Sequence, residues 1–207
     1  MPRVAVEWVI YVKLVLASKN QKKLVEMREI LSTLGVEVVL QSEVGVDVDV
    51  EETGTTFAEN AALKARAVCE ASGLPAIADD SGLCVDALNG APGVYSARYG
   101  GEGLDDVGRY KLLLENMRGQ LDRRCGFVSA ICCAFPNGDE ITARGECRGT
   151  LAYAARGENG FGYDPIFFVP EKKKTFAELS AEEKNEISHR GKALCAFQEN
   201  LENYLNK

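Results

Sequence analysis

The chain has 207 residues, of which 46% are hydrophobic and 27% charged, and its formal net charge is -7. This composition is typical of a soluble globular protein, and the length favours a single domain over residues 1–207. The negative charge argues against binding to nucleic acid polymers, because affinity for a polyanion comes mainly from clustered positive charge. A small anionic ligand stays possible where a few lysines converge.

Cysteine usage and hydropathy exclude further classes. Seven cysteines are scattered without a C-x-x-C pair, which argues against zinc and indicates buried thiols in a reducing cytoplasm. No segment reaches the roughly 18 apolar residues that a membrane span needs. The opening MPRVAVEWVIYVKLVL is apolar, but Glu7 interrupts it and no cleavage-site pattern follows. We interpret residues 1–12 as an N-terminal extension with the start of the first strand, rather than a signal peptide.

The first half of the chain alternates strand and helix patterns. Apolar runs predict strands over residues 13–18, 36–41 and 74–79, and helical periodicity predicts helices over 20–34 and 57–72. Thr56 and Glu59 form a capping box for the second helix, and Gly73 ends it. The third predicted strand ends at Asp79 and Asp80, two adjacent charges that need compensation if the strand is buried.

The second half combines helices with a β-hairpin. The glycine-rich stretch 89–103 is predicted to be a packed loop, and a helix follows over 105–117. Alternating patterns on both sides of PNGD predict a long hairpin over 123–151. A capping box of Ser180 and Glu183 starts the last helical region. Its apolar stripe continues through Ile187, Leu194, Phe197 and Leu201. These patterns predict an α/β fold with a mixed sheet.

The motif SKNQKK, Ser18 to Lys23, lies at the predicted junction of the first strand and the first helix. Free backbone N–H groups at a helix N-terminus favour an anion, and lysines are unfavourable there unless an anion is bound. One interpretation is therefore phosphate binding, and the other is an ordinary N-cap with solvated lysines. The motif lacks the glycines of a Walker A loop.

Four carboxylates are candidates for a metal site: Glu51 and Glu52 before the second helix, and Asp79 and Asp80 after the third strand. Mg²⁺ prefers oxygen ligands and usually needs only one or two carboxylates plus substrate phosphates. The alternative is that the glutamates only complement the helix dipole. Asp79 is interpreted either as a second metal ligand or as a supporting residue that caps the following turn.

Three further features are weak evidence for a function when each is considered alone. Asn60 and Lys64 share one face of the second helix, which either lines a cleft or is solvated. GFGYDP (160–165) places aromatic rings beside flexible backbone, which suits stacking on a base or packing in the core. SHRG (188–191) holds the single histidine and an arginine whose donor fork suits carbonyl oxygens or phosphate. No nucleophile-elbow pattern accompanies the histidine, which argues against a catalytic triad.

Taken together and in order, these features are specific. SKNQKK, EETGTTFAENAALKA, AIADDSGL, GAPGVYSARYGG, GFGYDPIFF and EEKNEISHRG closely resemble the inosine triphosphate pyrophosphatase family, whose bacterial form is the dITP/XTP diphosphatase. The resemblance covers the chain from about Lys13 to its end. The chain departs from the family pattern in its N-terminal extension and at Asn159, which stands where relatives often have glycine.

The resemblance implies an elongated mixed β-sheet with helices, two lobes that flank a central substrate cleft, and a homodimer. It implies that Asp80 is the catalytic proton acceptor and that Glu51 and Asp80 bind Mg²⁺. The implied substrate-binding residues are Ser18, Lys19, Asn20, Gln21, Lys22, Lys23, Lys64, Ser81, Phe161, Gly162, Tyr163, Asp164, Lys184, His189 and Arg190.

The implied reaction is Mg²⁺-dependent hydrolysis of dITP, ITP and XTP to the monophosphate and pyrophosphate, which cleanses the nucleotide pool of the cytoplasm. Arg190, helped by His189, would donate to the 6-oxo group that adenine lacks. Phe161 or Tyr163 would stack on the base, and no residue is identified that rejects guanine. Two alternatives stay open: a pyrophosphatase for other modified nucleotides, and a sensor that binds nucleotide without hydrolysis.

Overall fold

The computed structural model describes residues 12–31, 35–101 and 103–206. The strands in this part of the chain are β1 Val12–Leu16, β2 Val36–Leu40, β3 Ala76–Val85, β4 Arg124–Ala134, β5 Glu140–Leu151, β6 Phe167–Val169 and β7 Lys174–Thr175. The α-helices are α1 Gln21–Leu31, α2 Phe57–Ser72, α3 Asp106–Asn116, α4 Ala181–Ile187 and α5 His189–Leu205. The interpretation of residues 1–12 falls, apart from Val12, outside the described residues.

The strands form one mixed sheet in the order β2-β1-β3-β4-β5-β6-β7. β1 pairs in parallel with β2 and β3, and the remaining pairs are antiparallel. The parallel part comes from the alternating first half of the chain, and the antiparallel part is built on the hairpin of β4 and β5. The predicted α/β fold with a mixed sheet is therefore confirmed. Within the described ranges, no helix is apolar and long enough to cross a membrane.

The third strand is longer than predicted, and its predicted end at the two aspartates is wrong. β3 continues through Asp79 and Asp80 to Val85, because β4 pairs with it along its whole length. β1, in contrast, pairs with β3 only as far as Ile77. The two carboxylates therefore lie in the middle of a strand, just beyond the point where the parallel neighbour ends.

Helices cover both faces of the sheet, and the pleat decides which side chain meets which helix. Leu14, Leu16 and Ile77 pack with α1 and α5 in one buried cluster. Their neighbours Val15 and Ala78 pack on the opposite face, against α2. Asp79 has the parity of Ile77 and Asp80 that of Ala78, so the two aspartates point to opposite faces.

The predicted last helical region consists of two helices, α4 and α5. It breaks at Ser188, which ends α4 and begins α5. The Ser188 hydroxyl accepts a hydrogen bond from the backbone N–H of Gly191 at 3.0 Å and so caps α5. His189 and Arg190 consequently occupy the first turn of α5, and both are buried.

The start of α5 lies against β5 at a glycine. A Cβ atom added to Gly145 would lie 2.1 Å from the backbone oxygen of His189 and 2.4 Å from the backbone nitrogen of Ala193. No real side-chain atom tolerates such distances, and both neighbours are backbone atoms that cannot rotate away. Gly145 therefore permits the close approach that positions the first turn of α5.

We expect Gly145→Ala to lower the free energy of unfolding by roughly 1–3 kcal/mol, because the added methyl group must push α5 away from β5. Urea denaturation followed by circular dichroism measures this change. Gly126→Ala on β4 is the matched control, since its Cβ would meet mainly the flexible side chain of Arg148 at 3.1 Å. Equal losses in the two variants would contradict the proposed role of Gly145.

Candidate active site

A cavity of about 490 Å³ opens beside the part of β3 that continues beyond its parallel neighbour β1. Its walls come from the first turn of α1, the middle of β3, the loop before α3, the first turn of α3, the 161–164 loop, Lys184 of α4 and the first turn of α5. A second cavity of about 400 Å³ adjoins it and shares Asn20, Lys23 and Glu52 with it. The structure thus brings together motifs that are up to 170 positions apart in the sequence, from Asn20 to Arg190.

The strand-to-helix junction combines a cap with a buried cation. Asn20 Oδ1 accepts hydrogen bonds from the backbone N–H groups of Lys22 and Lys23, at 3.0 and 3.2 Å. Lys23 turns inward, where its Nζ lies 2.8 Å from Asp79 Oδ2, and burial lowers its pKa. Lys19 lies outside the main cavity, where it pairs with Asp47, and its side chain is 60% exposed. The junction is therefore both an N-cap and a source of positive charge for the cavity.

The side chain of Asp79 is fully buried and holds several elements together. Its Oδ2 lies 2.8 Å from Lys23 Nζ and 2.9 Å from Arg190 Nη2. Ser81 and Ser129 donate their hydroxyls to its two oxygens. Although burial opposes ionisation, the guanidinium of Arg190 and the ammonium of Lys23 hold the pKa of Asp79 well below its usual range. These contacts favour the supporting role for Asp79.

Asp80 faces the opposite side and meets α2. Its Oδ1 accepts a hydrogen bond from Lys64 Nζ at 2.8 Å, and its Oδ2 accepts one from Asn60 Nδ2 at 3.3 Å. Burial raises the pKa of Asp80, even though the neighbouring Lys64 acts in the other direction. The predicted polar face of α2 therefore lies in the site, and it is not a solvated surface.

Glu52, and not Glu51, enters this site. Glu52 Oε1 lies 2.8 Å from Lys64 Nζ, and its Oε2 lies 2.7 Å from Arg98 Nη1. Although burial acts the other way, the hydrogen bonds from Lys64 and Arg98 lower the pKa of Glu52 to about 2. Glu51 is exposed and is absent from the walls of both cavities. Asn60 Oδ1 accepts a hydrogen bond from Gly54 N at 2.8 Å. This bond fixes the turn after Glu52, which directs Glu52 rather than Glu51 into the site.

Glu52 and Asp80 share the ammonium group of Lys64, which lies 2.8 Å from an oxygen of each. The pair is thus arranged to hold one positive charge between two carboxylates. Among the described residues, no group of three or more histidines, cysteines, aspartates or glutamates is placed to bind a metal ion. A metal here would therefore need further oxygen ligands from a bound molecule.

The GFGYDP motif forms a tight turn on a buried ion pair. Asp164 Oδ2 accepts a hydrogen bond from Phe161 N at 2.9 Å and another from Lys184 Nζ at 2.8 Å. Cations surround the Phe161 ring: Lys184 Nζ lies 5.1 Å and Arg190 Cζ 5.7 Å from its centroid. Tyr163 is buried and donates its hydroxyl to the Ser96 carbonyl at 2.8 Å, so it anchors the predicted packed loop. Phe161 is therefore the better candidate for stacking on a base.

Arg190 binds two carboxylates of the protein, although the sequence suggested that its donors are free for a ligand. Its Nη1 donates to Glu26, and its Nη2 donates to Asp79 and to Ser81 Oγ, at 2.9 and 2.8 Å. His189 stacks on Phe127 with ring centroids 4.6 Å apart, and burial lowers its pKa well below the usual range. A ligand in the cavity therefore meets a neutral imidazole beside Arg190, whose two Nη2 donors are already occupied.

Sequence reasoning missed Glu26, which pairs with both Lys184 and Arg190. Its spacing offered a signal, because Glu26 lies three residues after Lys23 and so shares a face of α1 with it. Asp106 and Arg109 in the first turn of α3 also line the cavity and were not identified. Their sequence context is that of an ordinary exposed helix start, which gave no signal.

Comparisons with known proteins show which family and which solved structures this chain resembles. The Ham1 family matches residues 14–200. The dITP/XTP pyrophosphatase of Haemophilus influenzae is 53% identical over 193 residues, which cover 91% of this chain and 98% of the relative. That of Streptomyces coelicolor is 51% identical over 192 residues, 89% of this chain and 94% of the relative. A HAM1 protein from Coxiella burnetii has a similar structure, with a TM-score of 0.85, 45% identity and coverage of 93% and 99% of the two chains.

We expect Asp79→Asn to lower the free energy of unfolding at pH 7 by about 3–5 kcal/mol, because it leaves Lys23 buried without its counterion and Arg190 with Glu26 alone. Since the folded pKa of Asp79 is depressed, its contribution is present above the unfolded value of about 3.9. The contribution is then lost as the pH falls further. Denaturant unfolding at pH 7 and at pH 3 measures both effects, and the difference between wild type and variant should shrink at pH 3.

Asp122→Asn is the matched control, since Asp122 also pairs with an arginine but does so at the exposed start of β4. It should change the stability only slightly. A loss in Asp79→Asn no larger than in this control would show that the buried charge is not what stabilises the site.

Proposed function

Because this chain belongs to the Ham1 family, we propose that it hydrolyses dITP, ITP and XTP to the nucleoside monophosphate and pyrophosphate. One observation carries the proposal: within a single cavity, a carboxylate pair that shares a cation lies beside the lysine-rich first turn of α1. Such a site can take both the negative phosphates and a divalent metal. The names of the relatives support the choice of substrate.

Glu52 and Asp80 would hold the metal, with Glu52 in the role that the sequence suggested for Glu51. Two carboxylates are enough for Mg²⁺ when phosphate oxygens and water complete its shell. The ammonium of Lys64 between them supports this fit, because it shows that the pair already stabilises one positive charge. When bound, Mg²⁺ would neutralise phosphate charge and make a nearby water easier to deprotonate.

Residues of the chain would accept the proton of the attacking water and stabilise the leaving pyrophosphate. Asp80 would accept a proton from the attacking water, which bound Mg²⁺ would make easier to deprotonate. The water oxygen forms a bond to the α-phosphorus, and the bond from that phosphorus to the bridging oxygen breaks. Pyrophosphate leaves with the bonding electron pair. Lys23 and Lys64 would stabilise the charge that develops on it.

Recognition of the base would fall to the other end of the cavity. Phe161 would stack on the purine, with cations around its ring. Neutral His189 and the unoccupied Nε of Arg190 would meet the 6-oxo group. Adenine carries an amine at this position and would leave the arginine donor unpaired, which costs affinity.

The assembly and location of the enzyme remain proposals that the family resemblance supports. We expect a homodimer in the cytoplasm, with no nucleic acid polymer as a partner. The free thiols are compatible with a reducing compartment.

We expect the protein with Mg²⁺ to release pyrophosphate from ITP, dITP and XTP at least 100-fold more efficiently than from ATP or dTTP, as judged by kcat/KM. The reason is that ATP offers an amine where the buried donors need an acceptor, and the single ring of dTTP does not fill a site for a purine. A coupled pyrophosphate assay measures the ratio. Faster release from dTTP would instead support an enzyme for other modified nucleotides, and binding without release would support a sensor.

We expect Asp80→Asn to lower kcat at least about 100-fold, because the amide cannot accept a proton from water. The circular dichroism spectrum should stay close to that of the wild type. Asp86→Asn is the matched control, since Asp86 follows the same strand and pairs with Arg148 outside both cavities. Full activity in Asp80→Asn would remove Asp80 from the mechanism.

A further inference from the structure

Three buried side-chain atoms in the described part of the chain lack a hydrogen-bond partner: Arg109 Nε, His189 Nδ1 and Arg190 Nε. All three residues line the main cavity. Because buried polar atoms nearly always have partners, such a concentration indicates where a ligand supplies them. His189 and Arg190 are already assigned to the 6-oxo group, which leaves Arg109 without a role.

Arg109 forms an ion pair with Asp106, but it makes no hydrogen bond to this neighbour. Its Nη1 lies 3.7 Å from Asp106 Oδ1, which is too long for a hydrogen bond. Asp106 instead uses its other oxygen to accept the backbone N–H of Gly162 at 3.0 Å. The guanidinium of Arg109 thus differs from that of Arg190, whose terminal nitrogens both donate to carboxylates.

The loop that carries Phe161 contacts the helix of Arg109 and the helix that leads into Arg190. Gly162 ties the loop to Asp106 of α3, and Asp164 ties it to Lys184 of α4, the helix that leads into His189 and Arg190. A purine stacked on Phe161 would therefore present one edge to α5 and another edge to α3. If the 6-oxo edge faces α5, C2, which follows N1 around the six-membered ring, is available to Arg109.

We propose that Arg109 recognises the C2 substituent of the purine and so favours xanthine and rejects guanine. This inference rests on the proposed function of the same site. Xanthine carries a 2-oxo group that accepts a hydrogen bond from the guanidinium. Hypoxanthine carries only C2–H and gains nothing there. Guanine carries a 2-amino group, a donor that faces another donor and leaves both groups unpaired.

The decisive variant is Arg109→Met, which keeps most of the length of the side chain and removes its donors. We expect the ratio of kcat/KM for XTP to that for ITP to fall about tenfold, the worth of one hydrogen bond from a charged group. The ratio for GTP to ITP should rise, because the clash between donors is gone. Lys111→Met is the matched control: it removes one positive charge from α3 at an exposed residue outside the main cavity.

Calorimetric binding of the products XMP, IMP and GMP separates this inference from the proposed catalysis. Selective weakening of XMP in Arg109→Met supports it. Unchanged affinities, or an equal loss for all three products, overturn it. Parallel losses of XMP and IMP with a gain for AMP would place Arg109 at the 6-oxo edge and also overturn it.

A second variant guards against failure to fold. If Arg109→Met disturbs the first turn of α3, Arg109→Lys keeps the charge but lacks the Nε donor, and it should lower the same XTP to ITP ratio. If the wild type releases pyrophosphate from none of the triphosphates, the proposed function fails. The three monophosphate affinities then still decide the inference.

Discussion

The ion pairs of Asp79 are the interaction on which the rest of the site depends. This one carboxylate joins β3 to Lys23 of α1 and to Arg190 of α5, and the network continues from Arg190 to Glu26 and from there to Lys184 and Asp164. It contains three cations (Lys23, Arg190, Lys184) and three anions (Asp79, Glu26, Asp164), so its charges balance. Each charge would destabilise the fold if it were buried without a partner. Because positive and negative charges are equal in number, six of them can be buried beside one cavity.

This network also connects the two ends of the cavity. It begins at the lysine that is suited to phosphate and ends at Asp164, which fixes the backbone of Phe161. The 161–164 loop has little regular structure of its own, and it is positioned by ion pairs to helices on both sides. The geometry of base recognition is therefore set by the same charges that make the phosphate end positive.

Local signals in the sequence predicted most of the fold. The capping boxes of Thr56 and Ser180, the glycine stop at Gly73 and the PNGD hairpin depend on neighbouring residues, and the structure has each of them. The extent of β3 could not be predicted this way, because its second half depends mainly on pairing with β4, about 50 residues away. Two charged residues there look like a strand end when only their neighbours are considered.

The site was harder to predict where a choice between neighbours depended on tertiary contacts. Glu51 and Glu52 are equivalent in the sequence, and the turn fixed by Asn60 and Gly54 decides that Glu52 faces Lys64. The free donor fork expected of Arg190 is occupied because Glu26 and Asp79 approach from other elements. The motifs identified the residue types, whereas long-range packing decides which atom remains available to a ligand.

The pleat of β3 constrains how this segment can change in length. Asp79 and Asp80 differ in role only because successive residues of a strand face opposite sides, one toward α1 and α5 and the other toward α2. Deleting or inserting one residue before them would exchange their faces and leave Arg190 opposite the wrong side chain. A change of two residues would restore the faces but shift both carboxylates by about 7 Å along the strand, away from Lys23 and Lys64. The spacing of the two aspartates to Ala76, at the start of β3, is therefore fixed.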